Sequence, residues 1–388
     1  MIDRMSVIPR PPRALPLAPV PVSFELADPN RRRLQRASAA ADVAGALQPA
    51  QQALIHRRGW MRMLAPRAVG GAEMPLPAAV RLEEAIAAVD GSCGWVVTLC
   101  AGAGWFAGFL PPELAREIVA THRLCVAGSG APAGVAERDG DAGDAGDEGG
   151  WRLSGQWRFA TGAPMATHFT MNAVLYERGQ PLRDAAGAPR VRAFIVPADQ
   201  VTVVPGWRSI GLRASGTHGF KLDAVWVPAR QAFDIHPDAA VADGPLYRFP
   251  FLPLAWVTLA ANLAGMAQHF IDLAGAHVAQ RWPLDGELPA RPGPHRLLRQ
   301  AEHELAAARE VFYARLDHAW SGVCAGRPLP EADAQSLLTA SQALVQTARR
   351  GVDELYPCCG LQAAHEASAL NRVWRDLHTA TQHALLTP

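Results

Sequence analysis

WRLSGQWRFATG, residues 151–162, is the stretch on which the reading of this chain turns. Trp151, Leu153, Trp157 and Phe159 alternate with Arg152, Ser154, Gln156 and Arg158, the period of two that a half-buried strand requires. Further strands are expected at 173–176 (AVLY), 192–197 (RAFIVP), 201–204 (VTVV) and 220–228 (FKLDAVWVP). Together they predict a β domain, and what lies on either side of it is helical.

From residue 27 to about 121 the chain is Ala-rich and periodic, with LEEAIAAVD at 82–90 and a Pro-Pro-Glu helix start at 111–113. Beyond residue 250 the helical period returns. Leu298, Ala301, Leu305, Ala308, Phe312 and Leu316 step by threes and fours, as do Leu337, Ser341, Leu344, Ala348, Val352 and Leu355. Two amphipathic helices joined by the loop 322–330 predict a bundle. The acidic, Gly-rich run ERDGDAGDAGDEGG at 137–150 is read as a solvated loop, since the ligand order of a calcium loop is absent from it.

Composition narrows the function. Lys plus Arg number 37 and Asp plus Glu 36, so the chain carries no electrostatic footprint for nucleic acid or an anionic membrane. The expected partner is a small molecule. Cys93, Cys100, Cys125, Cys324, Cys358 and Cys359 show no CxxC pairing, which favours a reducing, cytoplasmic setting. No metal-ligand set is read from the sequence. The Pro-rich segment 1–26 is expected to be a flexible arm, and the uncharged stretches 91–110 and 249–269 to be buried core helices, since polar and helix-disrupting residues interrupt them.

Four stretches in this order carry a resemblance: LAPRAVGGAEMPLPAAVRLEEAIAAVDGSCGW (64–95), WRLSGQWRFATGAP (151–164), GWRSIGLRASGTHGFKLDAVWVP (206–228) and NRVWRDLHTATQH (371–383). Over nearly its whole length the chain resembles the acyl-CoA dehydrogenase superfamily. The fold this implies is mainly α with a central β domain. Its parts are an N-terminal helical domain (27–126), a middle β-barrel domain (127–235) and a C-terminal four-helix bundle (236–388), assembled as a homotetramer. Flavin is implied between the β domain and the bundle, with Trp157 and Phe159 as the wall against its ring. Thr161 is implied as the hydroxyl or backbone contact to the ring's N5 edge, and Ser129 approaches flavin and substrate. Arg375 and Asp376 are assigned to cofactor contact. Arg213, Ser215 and Thr217 are read as mainly structural, with a cofactor contact left open.

The dehydrogenase pattern is then broken in three places. The Arg-Asp pair is followed by LHTATQHALLTP, without the Glu-Gly turn that carries the family's catalytic carboxylate. Asp272, Glu302, Glu304 and Glu310 are the alternative positions for a relocated base. No Arg-x-x-Phe-Gly stretch is present to grip an FAD pyrophosphate, RWPL at 281–284 being the nearest approximation, and GSGAPAG replaces the acyl-CoA loop.

These departures resemble the branch of two-component monooxygenases that use reduced flavin, FAD or FMN, from a separate flavin reductase. Its C-terminal Arg-Asp-x-His-x-x-x-Gln-His pattern is matched by Arg375, Asp376, His378, Gln382 and His383. The resemblance implies oxygen activation through a C4a-hydroperoxyflavin on a small organic substrate, with His378 and His383 as the catalytic residues. Imidazole can hydrogen-bond or deprotonate near neutral pH, where an unperturbed carboxylate is a poor base. Five residues apart on a helix, the two rings would point about 140° apart. The alternatives are an FAD-dependent acyl-CoA dehydrogenase with a relocated base and a flavin-less scaffold.

Overall fold

The computed structural model describes residues 25–139, 149–282 and 293–386. The arm, except its last two residues, and most of the acidic loop lie outside them. Five helices come first: α1 (Asp28–Ala44), α2 (Pro49–Arg57), α3 (Leu76–Ala87), α4 (Gly91–Gly104) and α5 (Pro112–Ala120). Asp90 caps α4 by accepting the Cys93 N–H at 2.8 Å, and Gln51 of α2 donates to its other oxygen.

Eight strands follow: β1 (Val126–Asp139), β2 (Gly150–Ala160), β3 (His168–Glu177), β4 (Gln180–Pro181), β5 (Val191–Pro197), β6 (Thr202–Val204), β7 (His218–Pro228) and β8 (Ala232–Phe233). They form one sheet in the order β6-β7-β2-β1-β3-β5-β8, with β4 paired to β3 and only β1 and β3 parallel among the described residues. The sheet curls around its own core. Phe169 and Phe220 meet there at 4.8 Å, and the Trp157 indole stacks on Phe220 at 5.2 Å.

Trp157 is fully buried and donates its indole N–H to the Asn172 carbonyl. Glycine is required around it: a Cβ at Gly134 would lie 2.1 Å from the indole, and one at Gly155 2.8 Å from it. The expectation that Trp157 forms a cofactor wall is therefore corrected. Its ring belongs to the β-domain core.

The bundle comprises α7 (Phe251–Arg281), α8 (Gly293–Cys324), α9 (Glu331–Leu355) and α11 (Ala369–Ala380), with short α6 (Pro245–Arg248) and α10 (Gly360–Ala364) at its turns. Helix α7, and α4 with the turn after it, are long and apolar enough to cross a membrane, but 78% and 89% of their apolar windows are buried inside the fold. Both are core helices.

Helix α11 ties the three parts together. Arg375 forms a buried, two-pronged pair with Asp42 of α1 at 2.7 and 3.3 Å, and donates to the Ile210 carbonyl at 2.5 Å. Next to it, Asp376 accepts the Leu212 N–H at 2.5 Å. The segment between β6 and β7 is thereby clamped from the bundle. A Cβ at Gly211 would lie 1.9 Å from the Arg375 carbonyl oxygen, so nothing larger than glycine allows this approach. The assignment of Arg375 and Asp376 to cofactor contact is corrected accordingly: every guanidinium nitrogen of Arg375 has a protein partner, and Asp376 is buried with its Oδ1 on the Leu212 N–H.

Burial raises the Asp376 carboxyl to about 7, with Asp90 and Asp42 adding to the rise and the Leu212 N–H and Arg375 opposing it. An unfolded aspartate titrates near 4, so between about pH 4 and 7 the folded chain holds a proton that the unfolded chain has released. The stability this contributes is present below pH 4 and lost as pH rises through 7. Asp376→Asn keeps the acceptor but cannot ionise. Its melting temperature relative to the parent should therefore climb by a few degrees from pH 5 to pH 8 in thermal melts, whereas a constant difference would contradict the raised carboxyl. In the β domain, Gly134→Ala should cost roughly 1–3 kcal/mol, read as a lower denaturation midpoint.

Candidate active site

The site begins where β2 departs from regular pairing. Trp157 pairs with Phe220 and Ala160 with His218, leaving Arg158 and Phe159 opposite Gly219 alone. At this bulge Phe159 takes φ of +64°, a conformation that costs a side-chain-bearing residue energy, and its ring is turned out, 66% exposed. The bulge reverses the alternation, sending Trp157 inward and Phe159 outward. Trp207 meets Phe159 edge to face at 6.4 Å, so two aromatic rings stand together at the C-terminal end of β2.

Two residues on, the chain turns back inside. Thr161 is buried, with its hydroxyl 3.0 Å from that of Thr217, which lies 2.7 Å from the Ser215 hydroxyl. Gly162, at φ of +78°, donates its N–H to the Ser215 carbonyl, and Cys100 of α4 donates to the Thr161 carbonyl at 3.4 Å. The small polar run ASGTH at 214–218 is the signal for these hydroxyls. Reading them as mainly structural understates their link to Thr161. Ser129 is half-buried at the register break where β1 leaves β3, and Asn172 secures the following residue by donating to the Gly130 carbonyl at 2.8 Å.

Helix α4 is the common wall between this turn and the chain's last residues. A Cβ at Gly162 would lie 2.7 Å from Cys100 Sγ and 3.9 Å from Val96 Cγ1. The neighbouring Trp95 meets the His383 ring edge to face at 5.8 Å. His383 Nδ1 accepts the Leu385 N–H at 3.3 Å, and burial lowers the ring's pKa, so near neutral pH the ring is uncharged with its proton on Nε2.

His378 points elsewhere. Its ring stacks on Trp374 at 4.0 Å, Nδ1 lies 2.8 Å from the Trp374 carbonyl, and Nε2 lies 2.8 Å from Asp353 of α9. Both ring nitrogens are engaged by acceptors within the bundle. The catalytic assignment of His378 is therefore corrected to a packing role. The expected helical spacing of the two histidines also fails, because α11 ends at Ala380 and His383 lies in the turn beyond it.

The carboxylates considered as a relocated base are occupied or turned away from the site. Glu304 pairs with Arg350, Asp272 accepts from Gln268, and Glu302 and Glu310 lie exposed on α8. A planar, amphipathic ring fits what remains: aromatic surface at Phe159 and Trp207 and a hydroxyl edge at Thr161.

Comparison with known proteins bears on the fold and on the relatives of the chain. The family model for the acyl-CoA dehydrogenase C-terminal domain matches residues 257–388. A pigment production hydroxylase of Rhodococcus sp. is 26% identical over 340 residues, 84% of this chain and 83% of that protein. An FADH(2)-dependent resorcinol hydroxylase, oxygenase component, of Rhizobium sp. is 26% identical over 355 residues, 84% of this chain and 81% of its own length. The crystal structure of 3-HSA hydroxylase from Rhodococcus sp. RHA1 superposes with a TM-score of 0.83 at 19% identity, covering 93% of this chain and 92% of that one. The chain has an acyl-CoA dehydrogenase-like fold, its residues 257–388 match that family's C-terminal domain, and the relatives it resembles over most of its length are flavin-dependent monooxygenases and hydroxylases.

Proposed function

We propose that the chain is the oxygenase component of a two-component monooxygenase, taking reduced flavin, FAD in the first instance, from a separate reductase and hydroxylating a small aromatic substrate. The observation that carries this is the Phe159–Trp207 aromatic surface beside the Thr161 turn, supported by His383, packed on α4 as that turn is, in place of a carboxylate base. Bound reduced flavin would supply the electrons by which one atom of O2 enters the substrate and the other leaves as water.

The protein's part is to bind, orient and keep water out. Phe159 and Trp207 offer aromatic surface to the ring, and Thr161 and Ser129 meet its polar edge. His383 would act through its Nε2–H as a hydrogen-bond donor, since Nδ1 is taken by the backbone. The proposal extends to a cytoplasmic setting, supported by six free thiols, four of them buried. It extends also to a homotetramer, supported by Leu252, Val311 and Leu361, which stand exposed on the bundle.

Protein supplied with anaerobically reduced FAD, a panel of phenols and 18O2 should yield a product carrying one labelled atom. Flavin reoxidised without labelled product, at the same rate with and without protein, would overturn the proposal. His383→Ala should cut hydroxylation on the order of a hundredfold and divert oxygen to hydrogen peroxide, while His378→Ala should leave the coupling unchanged. The acid limb of the parent's activity should fall below the ordinary imidazole value of 6.5. Sedimentation should give a mass near four chains of 41.5 kDa.

A further inference from the structure

A recess opens between the first two helices. Pro29, Arg32, Arg33, Arg36 and Ala37 of α1, with Ala50 near the start of α2, line a hollow of about 420 Å³. The α1 positions are i, i+3, i+4, i+7 and i+8, the spacing that gathers side chains on one helix face. A hollow of this volume lies in the range that small-molecule ligands occupy. Its lining is of two kinds: three guanidinium groups and three small apolar surfaces.

The charge there is local and unanswered. Over the whole chain basic and acidic residues nearly cancel, and other exposed arginines meet carboxylates, with Arg81, Arg152 and Arg350 each holding one at 2.8 Å. Arg32, Arg33 and Arg36 are exposed, and none of them has an ion pair or hydrogen bond among the described residues. The carboxylates of α1 stand at its two ends. Asp28 forms no ion pair with the three, and Asp42 is taken by Arg375. Arg36 follows Arg32 by four residues and Arg33 by three, so like charges share neighbouring turns, an arrangement that destabilises a helix. Local conflicts of this kind mark places where something besides the fold is served. An anion in the recess would turn the repulsion into attraction.

We infer that this recess binds a diphosphate-bearing ligand. A guanidinium is a planar fork that grips phosphate oxygens in pairs, and three forks around one hollow suit a multiply charged phosphate group. Pro29, Ala37 and Ala50 offer an apolar seat for an attached organic part and project no bulk into it. The site is none of the residues of the candidate active site. It lies on the helix that carries Asp42, which is six residues and about 9 Å beyond Arg36, so a ligand here also firms the helix that anchors the Arg375 clamp.

The test is calorimetric titration and thermal melting of the full chain in about 50 mM salt, with ADP, pyrophosphate and adenosine as probes. ADP and pyrophosphate should bind and raise the melting temperature, and adenosine, which has no phosphate, should do neither. ADP binding more tightly than pyrophosphate would identify a nucleotide as the source of the diphosphate, and equal affinities would identify the free anion. The double variant Arg32→Gln/Arg36→Gln should weaken ADP roughly a hundredfold. Without ligand it should melt no lower than the parent, because both side chains are exposed and a like-charge pair is gone. ADP affinity unchanged in the double variant would overturn the inference. So would adenosine binding as tightly as ADP, or no ADP binding at about 1 mM.

Discussion

The buried pair of Arg375 and Asp42, with Asp376 beside it, is the contact on which the arrangement of the three parts depends. It joins α1, the 210–212 segment and α11 through Arg375, Asp42 and Asp376, three side chains that are themselves buried. Removing one partner of such a pair leaves an uncompensated charge in the interior, at a cost of about 3–5 kcal/mol. The clamp therefore acts as an alignment device. It sets the height at which the chain enters the 213–218 turn, and so where Ser215 and Thr217 meet Thr161.

How far the sequence could be read follows from which forces are periodic. The helix, sheet, helix order was legible because burial of apolar faces repeats at 3.6 or at 2 residues. The helices 293–324 and 331–355 and the first half of the strand 218–228 follow that repeat, while 193–196 is buried on both faces. The bulge at Phe159 breaks it. No residue type in QWRFATG forecasts a phenylalanine at positive φ, so a strict alternation places Trp157 and Phe159 on one side when the fold puts them on opposite sides.

The histidines show the same limit at a helix end. Helical spacing treats 378 and 383 as points on one cylinder, but α11 stops at Ala380 with neither glycine nor proline to mark it. The stop is made by contacts. Thr381 donates its hydroxyl to the His378 carbonyl at 2.9 Å, and His383 is drawn against Trp95 of α4. His378 meanwhile finds Asp353 on α9, a partner 25 residues away that no local pattern reveals. The motif nominated both rings, and tertiary contact divides their roles.

That division bears on the chemistry. A dehydrogenase needs a carboxylate poised to remove a proton, and the carboxylates around this site are neutralised, paired or turned to solvent. The groups of the proposed site are uncharged: aromatic carbon at Phe159, a hydroxyl at Thr161 and an imidazole at His383 whose pKa burial lowers. A site of this kind has little power to deprotonate. Its strength lies in shielding a reactive centre while a few fixed donors orient it, because each donor acts in a low-dielectric setting where water does not compete. Burial of the helices that line it follows from the same requirement. Helix α4 is buried along almost its whole length because the Thr161 turn and His383 both pack against it, the first through Cys100 and the second through Trp95.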